Sequence, residues 1–264
     1  MTATHRKILV VGATGSIGRL VVEEALRQGH SVRALVRNIE RARRLPAKTE
    51  IVLGDLTRPD TLTAAVDGVD SIVFTHGSDG SGKTGSQMVD YGGVRNTLIA
   101  LGTQKVRIAL MTAIGVTNRT GSYNRSTESH DWKRRAERLV RNSGLPYTIV
   151  RPGWFDYNAG DEHQLVFLQG DTRQAGNASD GAIARSQLAE VLVHSLTSDQ
   201  ALRKTFELVS TKGPAQTDLN PLFAALDRDT EGGFDGVRDM PNQPLEKEPQ
   251  SVLDDLRTLA ASRS

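Results

Sequence analysis

Three glycines where a strand hands over to a helix constrain this chain more than any other feature. Residues 8–11, Ile-Leu-Val-Val, are rich in β-branched side chains and read as a buried strand, and the apolar spacing Ile17, Leu20, Val21, Leu26 reads as a helix. Gly12, Gly15 and Gly18 lie between them. At such a turn Gly12 can take a backbone conformation closed to other residues, and Gly15 lets a bulky ligand approach the main chain. Gly18 lets the helix lie close to the sheet. The helix then aims its unpaired N–H groups and positive dipole end at the loop, which favours a phosphate. The spacing is Gly-x-x-Gly-x-x-Gly, not the commoner Gly-x-Gly-x-x-Gly. Its context supplies the rest: it follows a strand, opens a helix, and a second unit, Ser31-Val-Arg-Ala-Leu-Val36, begins at the right distance. The stretch reads as a dinucleotide site.

The end of the second strand is the next informative place. There an acidic residue binds a ribose 2′-hydroxyl and an arginine accommodates a 2′-phosphate. Here it is Arg37, followed by Asn38, so the sequence favours NADP over NAD; Arg33, Arg41, Arg43 and Arg44 nearby read mostly as a solvated face. A third strand over 50–54 runs into Asp55-Leu56, within reach of an adenine amino group. A fourth over 70–75 opens into His76-Gly77. Strands alternating with helices this often imply a parallel sheet covered on both faces, with ligands at the carboxyl ends.

At 264 residues the chain suits one α/β domain with at most a small appendage. Its 33 basic and 31 acidic side chains nearly cancel, so no nucleic-acid partner is implied. The absence of cysteine removes disulfides, thiolate metal sites and thiol nucleophiles. The histidines show no metal-ligand spacing, and no metal is expected. No apolar run approaches the ~20 residues of a membrane helix, and the first residues lack an apolar leader core. A cytoplasmic protein, monomer or homodimer, acting on a small molecule is the expectation.

Residues 77–84 satisfy the Gly-x-x-x-x-Gly-Lys-Thr phosphate-loop pattern. A phosphate loop wants a helix starting at its Lys-Thr, whereas Gly85 follows, so a flexible rim over the site is the preferred reading. A helix over 89–101 contains Gly92-Gly93, which implies close packing on the sheet or on a cofactor. A fifth strand spans 106–111, a polar irregular segment 117–127, and a helix 130–142, whose Arg134, Arg135, Arg138 and Arg141 read as a solvated face. A sixth strand spans 147–150. Residues 156–181 read as substrate-side loops around a short 164–169 segment. A helix over 185–198, a last strand over 205–209, short helices over 219–226 and 251–260, and a Gly- and Pro-rich stretch over 232–249 complete the chain. A dinucleotide-binding domain over 1–212 with a helical extension over 213–264 is the expected division.

Taken together, Gly12-Ala-Thr-Gly15-Ser-Ile-Gly18, Leu35-Val-Arg37-Asn38, Gly54-Asp55-Leu56, the run from Ser143 through Tyr147 to Arg151-Pro-Gly153, and Phe206-Glu-Leu resemble the atypical short-chain dehydrogenases, most closely the NmrA-like and flavin-reductase-like branch. The resemblance covers residues 7 to about 209. It implies a Rossmann fold with a parallel sheet of about seven strands. It places the phosphate loop on Gly12, Thr14, Gly15, Ser16, Ile17 and Gly18, the 2′-phosphate arginine on Arg37, and the adenine side on Asp55 and Leu56. Thr75, His76, Gly77, Thr112 and Ala113 would line the nicotinamide ribose, and Pro152, Gly153, Trp154 and Phe155 the nicotinamide end. Lys133 falls on the family's catalytic or ribose-binding lysine, which with Thr112 makes the expected catalytic pair.

The family's usual acid, a tyrosine four residues before the lysine, is here Ser129. A serine hydroxyl is a far poorer acid than a phenol beside an ammonium. Tyr91, Tyr123, Tyr157 or a water could take over that task. His76 is a candidate for binding or proton exchange, while His130 reads as helix surface. Trp154 and Phe155 read as packing or as a platform for a planar ring. No Gly-x-Ser-x-Gly elbow is present, which argues against a serine hydrolase. The leading expectation is an NADP-dependent oxidoreductase for a small carbonyl, quinone or flavin-like substrate. A non-catalytic NADP sensor is the alternative, and a sugar-nucleotide epimerase a distant third.

Overall fold

The computed structural model describes residues 5–78 and 80–261. The stretch 1–4, read above for the absence of a leader, and Asp79 of the glycine-rich loop lie outside them. In chain order the elements are β1 (Lys7–Val11), α1 (Ser16–Arg27), β2 (Ser31–Val36), α2 (Ile39–Ala42), β3 (Glu50–Leu53), α3 (Thr63–Val66), β4 (Ser71–Phe74), α4 (Gly82–Gly85), α5 (Gly92–Leu101), β5 (Arg107–Met111), α6 (Ser122–Thr127) and α7 (Ser129–Asn142). Then follow β6 (Tyr147–Pro152), β7 (Trp154–Phe155), β8 (Gln164–Leu168), β9 (Ala182–Ile183), α8 (Arg185–Ser195), β10 (Lys204–Thr211), α9 (Asn220–Ala224) and α10 (Gln250–Ala261).

Eight strands form one sheet in the order β3-β2-β1-β4-β5-β6-β10-β8. All neighbours pair in parallel except β8, which runs antiparallel to β10. Both faces are covered, and the period-2 alternation of strand side chains divides the core accordingly. Ile8 and Val10 of β1 join the layer under α1, α8 and α9, while Leu9 and Val11 join the layer under α3, α5, α7 and α10. The strand order reverses between β1 and β4, so the carboxyl ends splay apart there and leave a crevice.

Three segments differ from the sequence reading. The 164–169 segment is not loop but β8: Phe167 stacks on Phe206 at 4.3 Å and meets Phe223 at 5.1 Å, so an apolar edge strand closes the sheet. The helix expected over 89–101 begins at Gly82, and its first and last parts are joined by a π-type turn over Ser86–Tyr91. Within the polar segment 117–127, α6 forms.

The largest correction concerns α7. Arg134, Arg135, Arg138 and Arg141 are not solvated; all four are buried. Residues 229–248 of the C-terminal extension cross α7 as an irregular strap and meet them. Asp235 accepts from Arg134 at 3.0 Å and from Arg138 at 2.9 and 2.8 Å. Glu248 accepts from Arg135 at 2.5 Å and Arg138 at 2.8 Å, and Asp229 from Arg141 at 3.2 Å. Fully buried Arg151 of β6 forks onto Glu137 and Asp239, every contact between 2.7 and 3.0 Å. Guanidinium forks can be buried this way because each N–H finds a carboxylate or carbonyl. Beyond the strap, α10 buries Val252, Leu256 and Leu259 against the α5 and α7 side of the core. Among the described residues no helix is long and apolar enough to cross a membrane.

Candidate functional site

A cleft of about 910 Å³ runs across the carboxyl ends of β1, β2, β4, β5 and β6. That is the upper end of the ~300–1,000 Å³ typical of ligand sites, enough for an extended ligand rather than a compact one. Its floor is the β1–α1 turn. Gly12 has φ +87°, and a Cβ there would lie 2.7 Å from the His76 nitrogen, so only glycine satisfies the turn. A Cβ on Gly18 would run into the Gly12 carbonyl oxygen, which is why α1 can sit so low on the strand. No side chain caps the N-terminus of α1, and Thr14, Gly15, Ser16 and Ile17 line the cleft. First-turn amides without a side-chain partner, at the positive end of a 12-residue helix, fit a diphosphate.

At one end lie Leu35, Arg37, Arg41, Asp55 and Leu56. Arg37 and Arg41 are exposed and form no salt bridge among the described residues. Arg33, by contrast, is buried and donates to the carbonyls of Ala64, Ala65 and Asp67 at 3.0, 3.0 and 2.6 Å, so it is structural. Asp55 accepts from the amide and hydroxyl of Thr57 at 2.9 and 2.8 Å, and these bonds hold its carboxyl below the usual range. The side chain of Asn38 caps α2 by accepting from the Glu40 amide at 2.8 Å and does not line the cleft. Gly18 lies beneath the floor, not on it.

Mid-cleft, Thr75, His76, Gly77, Thr112, Ala113 and Lys133 come together, as do Pro152, Gly153, Trp154 and Phe155 beyond them. Thr75 is buried with its hydroxyl on the Val11 carbonyl at 2.9 Å. His76 donates Nε2–H to the Val89 carbonyl at 3.1 Å, and its buried Nδ1 has no partner among the described residues. Burial drives its pKa down to about 4, so it presents a neutral ring whose free nitrogen is an acceptor. Gly93 packs against that ring: a Cβ there would lie 2.8 Å from Nε2, which accounts for one glycine of the pair. The Thr112 hydroxyl donates to Glu137 at 2.7 Å, so it offers the cleft a lone pair rather than a proton.

Lys133 pairs with Asp90 at 2.8 Å. Asp90 is buried in the π-type turn and also accepts from the amide and hydroxyl of Ser78 at 3.0 and 2.7 Å. Nothing in the sequence pointed to Asp90, which sits in an apolar helical pattern. The widened turn is what delivers it to the cleft, a common use of π-bulges. The glycine-rich loop lines the rim through Gly77, Ser78, Gly80 and Ser81, while Lys83 turns outward to Glu128 at 2.9 Å.

Three tyrosines stood in for the missing acid. Tyr91 is committed elsewhere, donating to Asp255 of α10 at 2.8 Å, and Tyr157 does not line the cleft. Tyr123 does, with its ring 5.3 Å from that of His130. His130 is therefore not helix surface: it is half-buried and lines the cleft beside Ser129 and Asn118. Asn118, Gln174 and Asp180 also line this end and carried no motif in the sequence. Asp180 is buried and already accepts from the amides of Ala175 and Gly176 at 2.7 and 2.8 Å. Arg185, which does not line the cleft, lies over the Phe155 ring at 5.0 Å and pairs with Asp156.

A model of an NAD(P)H-binding family matches residues 12–199. An uncharacterized sugar epimerase of Bacillus subtilis is 31% identical over 221 residues, covering 82% of this chain and all of the relative. Sanguinarine reductase of Eschscholzia californica is 26% identical over 262 residues, covering 83% of this chain and 95% of that one. A solved structure from Bacillus halodurans, provisionally an NAD-dependent epimerase/dehydratase, superposes with a TM-score of 0.68 at 25% identity, over 79% of this chain and 96% of that one. With its glycine turn and uncapped α1 within the matched span, and with this strand order, the chain belongs to the NAD(P)H-binding family of Rossmann-fold proteins, of the atypical short-chain dehydrogenase kind.

Proposed function

We propose that this protein is an NADP-dependent oxidoreductase that moves hydride between the cofactor and a small planar carbonyl, quinone or flavin-like substrate. One observation carries the reading: a single cleft joins the α1 phosphate floor to an aromatic end beyond β6, with Lys133 between them. A bound nicotinamide supplies the hydride chemistry; the protein's part is to bind, orient and exclude water. Gly12, Gly15 and the first-turn amides of α1 would hold the diphosphate, and Arg37 a 2′-phosphate. Lys133, its charge balanced by Asp90, would hold the nicotinamide ribose by hydrogen bonding, and His76 Nδ1 remains as an acceptor.

At the far end, Trp154, Phe155, Met111, Ile114 and Tyr123 offer apolar and aromatic surface. Asp180 at that end and Lys133 in mid-cleft are already engaged. A sugar nucleotide brings a second diphosphate that calls for unpaired cations, so this lining favours a neutral ring over a substrate of that kind. The sensor alternative draws support from Ser129 in place of tyrosine and from the engaged Thr112 hydroxyl.

NADPH consumption against a panel of quinones, flavins and aldehydes tests the proposal, alongside calorimetry with NADPH and NADH. Steady consumption with tighter NADPH binding is expected. Tight binding with no turnover on any acceptor would favour the sensor, and equal binding of the two cofactors would remove Arg37 from the account.

A further inference from the structure

We propose that His130 is the proton donor and acceptor of this site, taking the place of the absent tyrosine; the inference rests on the oxidoreductase reading above. His130 and Lys133 lie one turn apart on the same face of α7, and both line the cleft. The Nδ1 of His130 lies 3.5 Å from the Asn118 carbonyl oxygen, while Nε2 has no partner among the described residues. With Nδ1–H directed at a carbonyl, Nε2 is the nitrogen that exchanges a proton with a ligand.

The start of α7, and with it the ring, is held by a polar shell that also caps the helix, since Asn124 Oδ1 accepts from the Asp131 amide as well, at 3.2 Å. Asn124 Oδ1 accepts from the His130 amide at 2.9 Å, and Asn124 Nδ2 donates to Asp131 at 3.0 Å. Asp131 is gripped by Arg119 at 3.0 Å through both oxygens, and Tyr123 packs its ring on the imidazole. Such a shell is what keeps a proton-transfer group in register.

As the carbonyl carbon of the acceptor gains hydride from the reduced cofactor, its π pair moves onto oxygen, and Nε2–H of the imidazolium delivers a proton there. The acceptor would become the hydroxyl compound, with the nicotinamide supplying the two electrons, and the neutral imidazole would regain its proton from hydronium or buffer acid in the solvent at the cleft mouth. The groups facing this ring are Asp171 and Asp131, which favour its charge, and Lys133, which opposes it; burial is the largest influence and lowers the pKa below the ordinary imidazole value. Carbonyl reduction should therefore quicken as pH falls towards that lowered value, and the reverse oxidation should slow.

The test is His130→Asn, with two classes of acceptor and one measurement made without turnover. For quinone or aldehyde reduction, turnover should fall about 100-fold and its pH dependence flatten, as loss of an acid–base group does. For an N-alkyl iminium acceptor, which takes hydride at carbon and needs no proton, turnover should stay within about threefold, and NADPH affinity by calorimetry within about twofold. Nitrogen NMR of the imidazole in wild-type protein without cofactor should show the Nδ1–H tautomer. An equal loss on both acceptor classes, unchanged quinone turnover, or an Nε2–H tautomer would overturn the assignment while leaving the oxidoreductase reading in place. Absence of wild-type turnover on every acceptor would sink both.

Discussion

The cleft floor and the strap beneath α7 are two polar regions of one small domain, assembled on opposite terms. In the cleft, donors and acceptors are left over among the described residues: the first-turn amides of α1 lack a side-chain cap, His76 Nδ1 is buried without a partner, and Arg37 and Arg41 form no salt bridge. Under the strap, Arg134, Arg138, Arg141 and Arg151 each meet two or more partners. Buried polar groups are normally satisfied, so a surplus along a cleft marks where a ligand completes the network, whereas the strap guanidiniums are paired by the chain itself, although Gln243 Oε1 is buried there without a partner among the described residues. The two regions meet at Glu137, which takes the Thr112 hydroxyl from the cleft side and Arg141 and Arg151 from the strap side, and again at Asn242, which accepts from Arg119 and donates to the Thr117 carbonyl.

That contrast can be broken by substitution, beginning where the effect is greatest. Arg151→Ala would strand Glu137 and Asp239 in the interior; it should destabilise the fold by about 3–5 kcal/mol, a loss on the order of 10 °C in Tm, measured by thermal and urea unfolding. A marginal change would show that the strap is not held by its ion pairs. Lys133→Ala should lower turnover about 100-fold while NADPH affinity changes far less, since the cofactor keeps its diphosphate floor. Unaltered turnover on a verified substrate would remove the lysine from the mechanism. Arg37→Ala, at an exposed position, should weaken NADPH binding about tenfold, leave NADH binding as it was, and leave Tm within a degree or two. A large drop in Tm would blur the division between binding and structural arginines.

The smallest effect is in the pH dependence of stability. Burial opposes the charge on Asp239, but facing Arg151 overrides it and holds the carboxyl at about 2, below its ordinary 3.8. A carboxyl depressed by folding contributes stability that is complete above its unfolded value, so unfolding should ease as pH falls from about 4 to 2. Glu207 is opposite in sign: burial pushes it up from 4.5 to about 7, and the fold therefore holds a proton that the unfolded chain releases. Stability should decline as pH rises through that window, and Glu207→Gln should flatten the decline in a urea series at stepped pH. A wild-type curve flat between those limits would mean that Glu207 is ionised throughout.

Much of the site was legible because its signals are local. A strand, a glycine turn and a helix are adjacent in sequence, and Arg37, Asp55, His76, Ala113 and Gly153 each follow a strand whose end defines the cleft. What was illegible depends on distance along the chain. The arginines of α7 repeat at helical spacing, which reveals a face but not what covers it; their partners lie about 90 to 110 residues later in a stretch without periodicity. Asp90 reaches Lys133 through a π-type turn that no side-chain pattern announces. His130 reads as surface because the loop closing over it, with Asn118 and Tyr123, has no regular period.

From residue order alone came the nucleotide-binding fold class, the glycine floor and the place of Arg37 at the end of β2, since each rests on neighbours within one strand–turn–helix unit. Tertiary packing alone settled which charges are buried, which lysine is neutralised, which tyrosine faces the cleft and where the C-terminal extension lies. Those outcomes turn on solvent exclusion and on pairing between remote segments, and both come into being only when the chain closes on itself.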